Sequence, residues 1–222
     1  MPERLKSPWR RTLAHLQAWL IDHEYVRVLY RNFHRLSDNA WRSNQPSPGF
    51  VRKLKQTYGI NTIISLRRPD SSGAYLLEKE ACDRYGITLL HHRFSSREFP
   101  QAEAVLAARD LLSSAKPPLL IHCKSGADRA GLMSALYRHF VLGEPIEAIW
   151  RVELNWRYGH FRFGDTGKLD AFFEAYEAFK QDHPHTTFEQ WLTEAYDREA
   201  LNRAYRPGTL GRLLIDKVLR RE

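Results

Sequence analysis

Leu119-Leu120-Ile121-His122-Cys123-Lys124-Ser125-Gly126-Ala127-Asp128-Arg129-Ala130-Gly131 is the stretch whose reading decides the fold. Its opening residues form a short apolar run, the pattern of a buried strand. Residues 132–142 place apolar side chains at helical spacing, so a helix is expected there. Between the two lies a tight loop from Cys123 to Arg129, with five residues between them. A loop feeding a helix N-terminus aims free backbone N–H groups at one point, and the helix dipole adds positive charge there. That point is an oxyanion site. Thiols at such a rim ionise readily, because helix N-termini and nearby cations lower a cysteine pKa from ~8.5 to roughly 3.5–7.5. Arg129 can fork two hydrogen bonds onto a bound anion. Nucleophile, backbone cradle and arginine clamp together predict phosphoryl transfer through a cysteinyl-phosphate.

His-Cys-x5-Arg between strand and helix resembles the signature of the cysteine-dependent protein tyrosine and dual-specificity phosphatases, in particular their bacterial dual-specificity-like branch. His122 precedes the Cys, and Gly126 sits mid-loop. The resemblance covers residues 30–156 and implies a metal-independent phosphomonoesterase without a cofactor. In that reading Cys123 attacks phosphorus, and Lys124, Ser125, Gly126, Ala127, Asp128 and Arg129 bind the phosphoryl oxygens. A carboxylic acid then protonates the leaving group, and water hydrolyses the thiophosphate.

Two further segments carry the resemblance. Trp41-Arg42-Ser43-Asn44-Gln45-Pro46-Ser47-Pro48 reads as a proline-bounded loop. It is similar to the aromatic-Arg-Ser-x-Gln-Pro segment of compact dual-specificity-like phosphatases, which implies that Arg42 or Gln45 lies near the cleft; loop packing alone is the alternative. Residues 60–66 form a β-branched strand closed by Arg67, Arg68 and Pro69. Family strands of this kind end in an Arg beside the catalytic loop, so Arg67 either braces that loop or serves the surface. His122 and Gln45 complete the supporting set.

Two departures from the family pattern matter. The family usually supplies its general acid from an Asp some thirty residues before the Cys. Here that region reads Phe94-Ser95-Ser96-Arg97-Glu98-Phe99 and holds no Asp. The candidates are Asp128, inside the loop, and Glu98, with Asp128 preferred because some bacterial tyrosine and lipid phosphatases end this loop in Gly-x-Asp-Arg. Asp128 can also cap the helix. The residue after the Arg is Ala130, where most members carry a hydroxyl that helps the thiolate leave, so slow hydrolysis of the intermediate is expected.

The 222 residues, 43% hydrophobic, can bury one good core. The expected fold is α/β, a three-layer phosphatase-type sandwich with a central mostly parallel sheet, because strands alternate with helices. An N-terminal amphipathic helix (1–24) precedes a catalytic core (25–160), and a C-terminal helical extension (161–222) packs on it. Helices are expected at 47–58, 74–85, 101–114, 145–156, 167–180, 187–205 and 209–221, and strand segments at 25–30, 33–36 and 87–90. The aromatic-basic segment 157–164 is expected to pack against the core. No run of ~18 apolar residues and no secretory h-region is present. Two cysteines make no disulfide framework; Cys82 reads as a small buried residue, with a regulatory disulfide to Cys123 as the alternative. No metal site is expected, since His91 and His92 are adjacent strand residues facing opposite ways with no Cys or carboxylate cluster beside them.

The net charge of +8 favours anionic partners. The expected substrate is a phosphorylated protein, attacked with tyrosine or dual specificity. The alternatives are a phospholipid or other non-protein phosphate, of the phosphatidylglycerophosphate or phosphoinositide type, and a phosphate-binding module without turnover. No nucleic acid partner is expected, and the oligomeric state is open. A cytoplasmic location suits a working thiolate. The basic helix at the N-terminus adds peripheral membrane contact as an expectation.

Overall fold

The computed structural model describes residues 9, 12, 30–70 and 72–206. Strand β1 (His34–Ser37) pairs antiparallel with β2 (Ala40–Ser43). Then come α1 (Pro48–Tyr58), β3 (Thr62–Ser65), α2 (Gly73–Tyr85), β4 (Thr88–His91), α3 (Ala102–Ser114), β5 (Leu119–His122) and α4 (Asp128–Phe140). Helices α5 (Ile146–Glu153), α6 (Lys168–Asp182), α7 (Phe188–Glu194) and α8 (Arg198–Ala204) complete the described chain. The sheet order is β1-β2-β5-β3-β4, with every pairing beyond β1 parallel. The α/β class with a central, mostly parallel sheet is therefore the observed one. Ser43 pairs with His122, His122 with Ser65, and Ser65 with His91. The four parallel strands thus end level, and their carboxyl ends form one edge, where open α/β sheets bind ligands.

Local signals explain where the elements begin and stop. The Ser47 hydroxyl accepts the Phe50 N–H at the head of α1, and Pro48 takes the first helical position, where its missing donor costs nothing. Gly59 closes α1 at φ 64°, a left-handed conformation that a side chain resists.

The chain divides into two compact units. The first, Met1–Arg93 with Ala115–Ala130, holds the whole sheet together with α1 and α2. Phe50, Val51 and Leu54 of α1 and Ala81 and Cys82 of α2 close over Ile63 and Leu120 on one sheet face. Ile64 and Ile121, which alternate to the other face, are also fully buried. The second unit, Phe94–Ser114 with Gly131–Glu222, centres on α6. There Phe172 packs among Phe173, Tyr196 and Trp191 at ring separations of 5.0 to 5.5 Å. Arg138 ties Glu144 and the buried Glu153 into this unit.

Several expectations are corrected. Strand β2 runs to Ser43, so residues 41–43 of the expected loop 41–48 are strand, because Arg42 and Ser43 are buried polar residues beside β5. Helix α4 begins at Asp128, four residues before the apolar run. The segment 187–205 is two helices, since Asp197 caps a new one by accepting the Ala200 N–H. The helix expected over 145–156 stops at Glu153, followed by a 3₁₀ turn Trp156–Tyr158. The aromatic-basic segment does not pack away as expected: Trp156, beside it, is 69% exposed, Phe161 54% and Phe163 79%. The expected helices 1–24 and 209–221 and the strand segment 25–30 lie outside the described residues, apart from residues 9, 12 and 30. Among the described residues no helix is long and apolar enough to cross a membrane.

Candidate active site

Strand β5 is apolar and fully buried, so it delivers Cys123 to the carboxyl edge on a rigid support. The loop then turns through Gly126, at φ 79°, into α4. Cys123 is 2% exposed, and its Sγ accepts the Gly126 N–H at 3.2 Å. The Ala127 N–H is received by Ser125 Oγ at 3.3 Å. Lys124 and Ser125 are exposed, whereas Asp128 and Arg129 are half-buried at the helix start. Arg129 donates through Nη1 to the Leu66 carbonyl at 3.1 Å, which anchors the guanidinium to the end of β3.

The loop is held from beneath by buried polar groups. Arg42, fully buried, donates to the Gly126 carbonyl at 2.7 Å and the Ala127 carbonyl at 3.1 Å. Asn32 Nδ2 donates to the Ser125 carbonyl at 3.1 Å. Asn32 itself sits at φ 48°, a region Asn tolerates better than other side chains. These bonds satisfy the Ser125, Gly126 and Ala127 carbonyls and brace the loop from beneath.

A second network lies under Cys123. His122 Nδ1 stands 3.3 Å from the Cys123 carbonyl, and Nε2 lies 2.7 Å from Glu78 Oε1, at ion-pair distance but off the line of a good hydrogen bond. The other Glu78 oxygen accepts from Gln45 Nε2 at 2.9 Å, and Gln45 Oε1 accepts from Arg67 Nη1. Nearby, burial pushes the Cys82 thiol far up, with the Glu78 carboxylate adding to the shift, so Cys82 is an inert neutral thiol. Cys82 and Cys123 are both free. Burial also pushes the His91 imidazole down, against the opposing pull of the Arg67 backbone and Glu78.

The structure brings Cys123, the loop residues 124–129, His122, Arg67 and Gln45 together at one edge of the first unit. Both Arg42 and Gln45 lie there, under the loop. Glu98 belongs to the second unit, where its largely exposed carboxylate lies 3.4 Å from Arg198. Asn32 and Glu78 were not among the expected site residues. A signal for Glu78 existed: it falls within the apolar helical stripe Ala74, Leu77, Ala81, Cys82, where a carboxylate is out of place.

A thiol on a strand-to-helix loop, with the Gly126 amide on its sulfur and an anchored arginine six positions on, defines the class of cysteine-dependent phosphatases. The comparisons give the family. The model described as "DSP-PTPase phosphatase fused to NAD+ Kinase" matches residues 32–157, and the chain belongs to that family. The dual specificity protein phosphatase TpbA of Pseudomonas aeruginosa is 27% identical over 113 residues, 50% of this chain and 48% of the relative. The chain therefore matches about half the length of that curated relative. The crystal structure of P. aeruginosa TpbA superposes with a TM-score of 0.53 at 24% identity, covering 65% of this chain and 84% of that one. A DUF442 protein of Shewanella putrefaciens CN-32, solved at 1.60 Å, gives 0.53 at 20% identity over 67% and 90%. Both likenesses are of fold.

Proposed function

We propose that this protein is a metal-independent phosphomonoesterase of the tyrosine or dual-specificity type, working through a cysteinyl-phosphate. One observation carries the reading: the Cys123 sulfur receives the Gly126 amide at 3.2 Å inside a loop that ends at the anchored Arg129. The backbone amides of the loop, Gly126 N–H among them, can hold equatorial phosphoryl oxygens as the S–P bond forms. Arg129 adds a bidentate clamp. The leaving alkoxide takes a proton from an acid, and water then attacks phosphorus, returning the thiol and inorganic phosphate. The work is done in a reducing compartment, the cytoplasm, where the thiol stays free.

Phosphate release from phosphotyrosine and phosphothreonine peptides, in EDTA, tests the reading. Release that disappears in Cys123→Ser supports it. Retained phosphate binding without release from any phosphomonoester would replace it with a binding module.

A phospholipid substrate is the second reading, favoured by the exposed aromatic side chains Trp156, Phe161 and Phe163 beside Arg157 and Arg162. Aromatic rings interleaved with arginine suit a headgroup interface, and the net charge of +8 favours an anionic one. Release from phosphatidylglycerophosphate or phosphoinositide vesicles in preference to peptides decides for it, with peripheral membrane contact as its corollary.

The general acid is proposed to be Asp128, which stands at the start of α4 in the phosphate loop itself. Asp128→Asn is expected to lower kcat about 100-fold on alkyl or phenyl phosphates, the range of general acid catalysis. On a nitrophenyl phosphate, whose leaving group needs no proton, the loss should nearly vanish. The same leaving-group dependence in Glu98→Gln instead would move the role there.

Ala130 predicts a slow second half-reaction. A rapid burst of released alcohol, close to one per Cys123, should precede a slower steady state in stopped-flow kinetics. Ala130→Ser should raise the steady rate and shrink the burst, whereas linear early kinetics in the wild type would show that hydrolysis is not limiting.

A further inference from the structure

We infer that Glu78 is a positioning residue that locks the ends of three parallel strands under the phosphate loop. The inference rests on the phosphatase reading but concerns a residue outside the Cys123–Arg129 loop. Glu78 stands on α2 and is 1% exposed. Each of its oxygens faces a different strand end. Oε1 lies 2.7 Å from His122, the last residue of β5 and the neighbour of the nucleophile. Oε2 accepts from Gln45, two residues past β2. Gln45 in turn accepts from Arg67, two residues past β3, and its backbone N–H reaches the Lys124 carbonyl at 3.4 Å.

The energetics make this arrangement costly unless it serves the site. Burying a carboxylate is costly in a protein interior, so a stability role alone favours an apolar residue in this stripe. Among the described residues, the polar groups set against Glu78 are Gln45 and His122, which belong to the loop's supports. At 2.7 Å from Glu78 Oε1, His122 Nε2 faces the carboxylate at ion-pair distance, both side chains being buried. The consequence is mechanical. The His122 ring stands between the Glu78 carboxylate, on its Nε2 side, and the Cys123 carbonyl, 3.3 Å from its Nδ1, and so couples the carboxylate to the peptide leading into the loop. Arg129 is anchored on the Leu66 carbonyl, next to Arg67, so the same carboxylate reaches the clamp through β3. Nucleophile and clamp are thereby tied to one buried point.

Glu78→Gln keeps the size and the Gln45 contact but removes the charge opposite His122. We expect kcat to fall on the order of 10–100-fold, the cost of misplacing a catalytic group by about 1 Å. KM should move little, and the melting temperature should stay close to the wild type. His122→Asn should lower kcat similarly, and the double variant should be no worse than the poorer single one, because both break one link. Gln45→Met, which cuts only the other arm, should give a smaller loss in the same direction and serves as the test should Glu78→Gln fail to fold. An unchanged kcat in Glu78→Gln, or losses that simply add in the double variant, would overturn the positioning role. Orthovanadate affinity, measured by calorimetry, separates the two readings. An enzyme that binds vanadate yet turns over no phosphomonoester defeats the phosphatase reading, while weaker vanadate binding in Glu78→Gln still supports the lock and unchanged binding defeats it.

Discussion

Replacing Cys123 by serine should abolish phosphate release, by a factor on the order of 10⁴–10⁶, while leaving oxyanion binding in place. The expectation follows from the division of labour in the loop. In the proposed mechanism binding falls to the backbone amides and Arg129, none of which the substitution touches. The bond to phosphorus falls to Sγ, which sits as the acceptor of the Gly126 N–H at 3.2 Å. A serine hydroxyl in the same place forms that hydrogen bond too, so the loop keeps its shape. What it lacks is the nucleophilicity of sulfur, and its proton has no nearby base assigned to take it. Single-turnover assays with a phosphotyrosine peptide, alongside calorimetric binding of orthovanadate, check both halves. Turnover within tenfold of wild type would remove Cys123 from the nucleophile's place. Loss of binding together with turnover would mean that the thiol, and not the amides, shapes the loop.

Much of this site was legible in the chain because its chemistry is local. Cys123 to Arg129 lie within one turn of backbone, flanked by an apolar strand and an apolar helical stripe, and no distant contact is needed to read them. Gly59 ended α1 as expected for the same reason: the requirement for a left-handed φ is a property of that position alone. The supports were harder. Arg42 reads as a loop residue because arginine in a four-residue strand breaks the apolar pattern, yet it is fully buried, since the carbonyls of Gly126 and Ala127 need a donor from beneath. That need is created by residues more than eighty positions away. Glu78 fits the same description: burial of a carboxylate is sensible only once His122 and Gln45 have been brought to it.

The second unit misled for different reasons. The apolar spacing across 187–205 is helical on both sides of Asp197, and periodicity does not reveal that the Asp side chain starts a new helix by capping Ala200. Phe161 and Phe163 are apolar by composition and exposed in fact, because Thr166 Oγ1 lies within hydrogen-bond distance of both their carbonyls and holds the segment in a turn that aims the rings outward. Aromatic content alone does not distinguish a ring that is buried from one presented to a partner.

Gly126→Ala should be the most damaging small substitution in the loop, lowering kcat about 100-fold or more and destabilising the protein by about 1–3 kcal/mol. Two effects combine. The residue sits at φ 79°, a conformation that costs a side chain energy even in open space. A Cβ there would also stand 2.7 Å from the Asn44 backbone nitrogen and 2.8 Å from the Ser43 carbonyl carbon. Both are backbone atoms at the end of β2, held by the parallel pairing of Ser43 with His122, so neither can rotate aside as a long side chain would. The loop must lift instead, which withdraws the Gly126 N–H from Sγ and pulls the Gly126 carbonyl off Arg42. Gly59→Ala supplies the control. Gly59 has a similar φ of 64°, but no atom lies within 4 Å of the added methyl group. It should therefore cost about 1 kcal/mol from backbone strain and leave kcat unchanged. Urea denaturation and steady-state kinetics on the two variants separate strain from clash. Equal kcat in both would mean that the close approach of Gly126 to β2 does not hold the loop in its working shape.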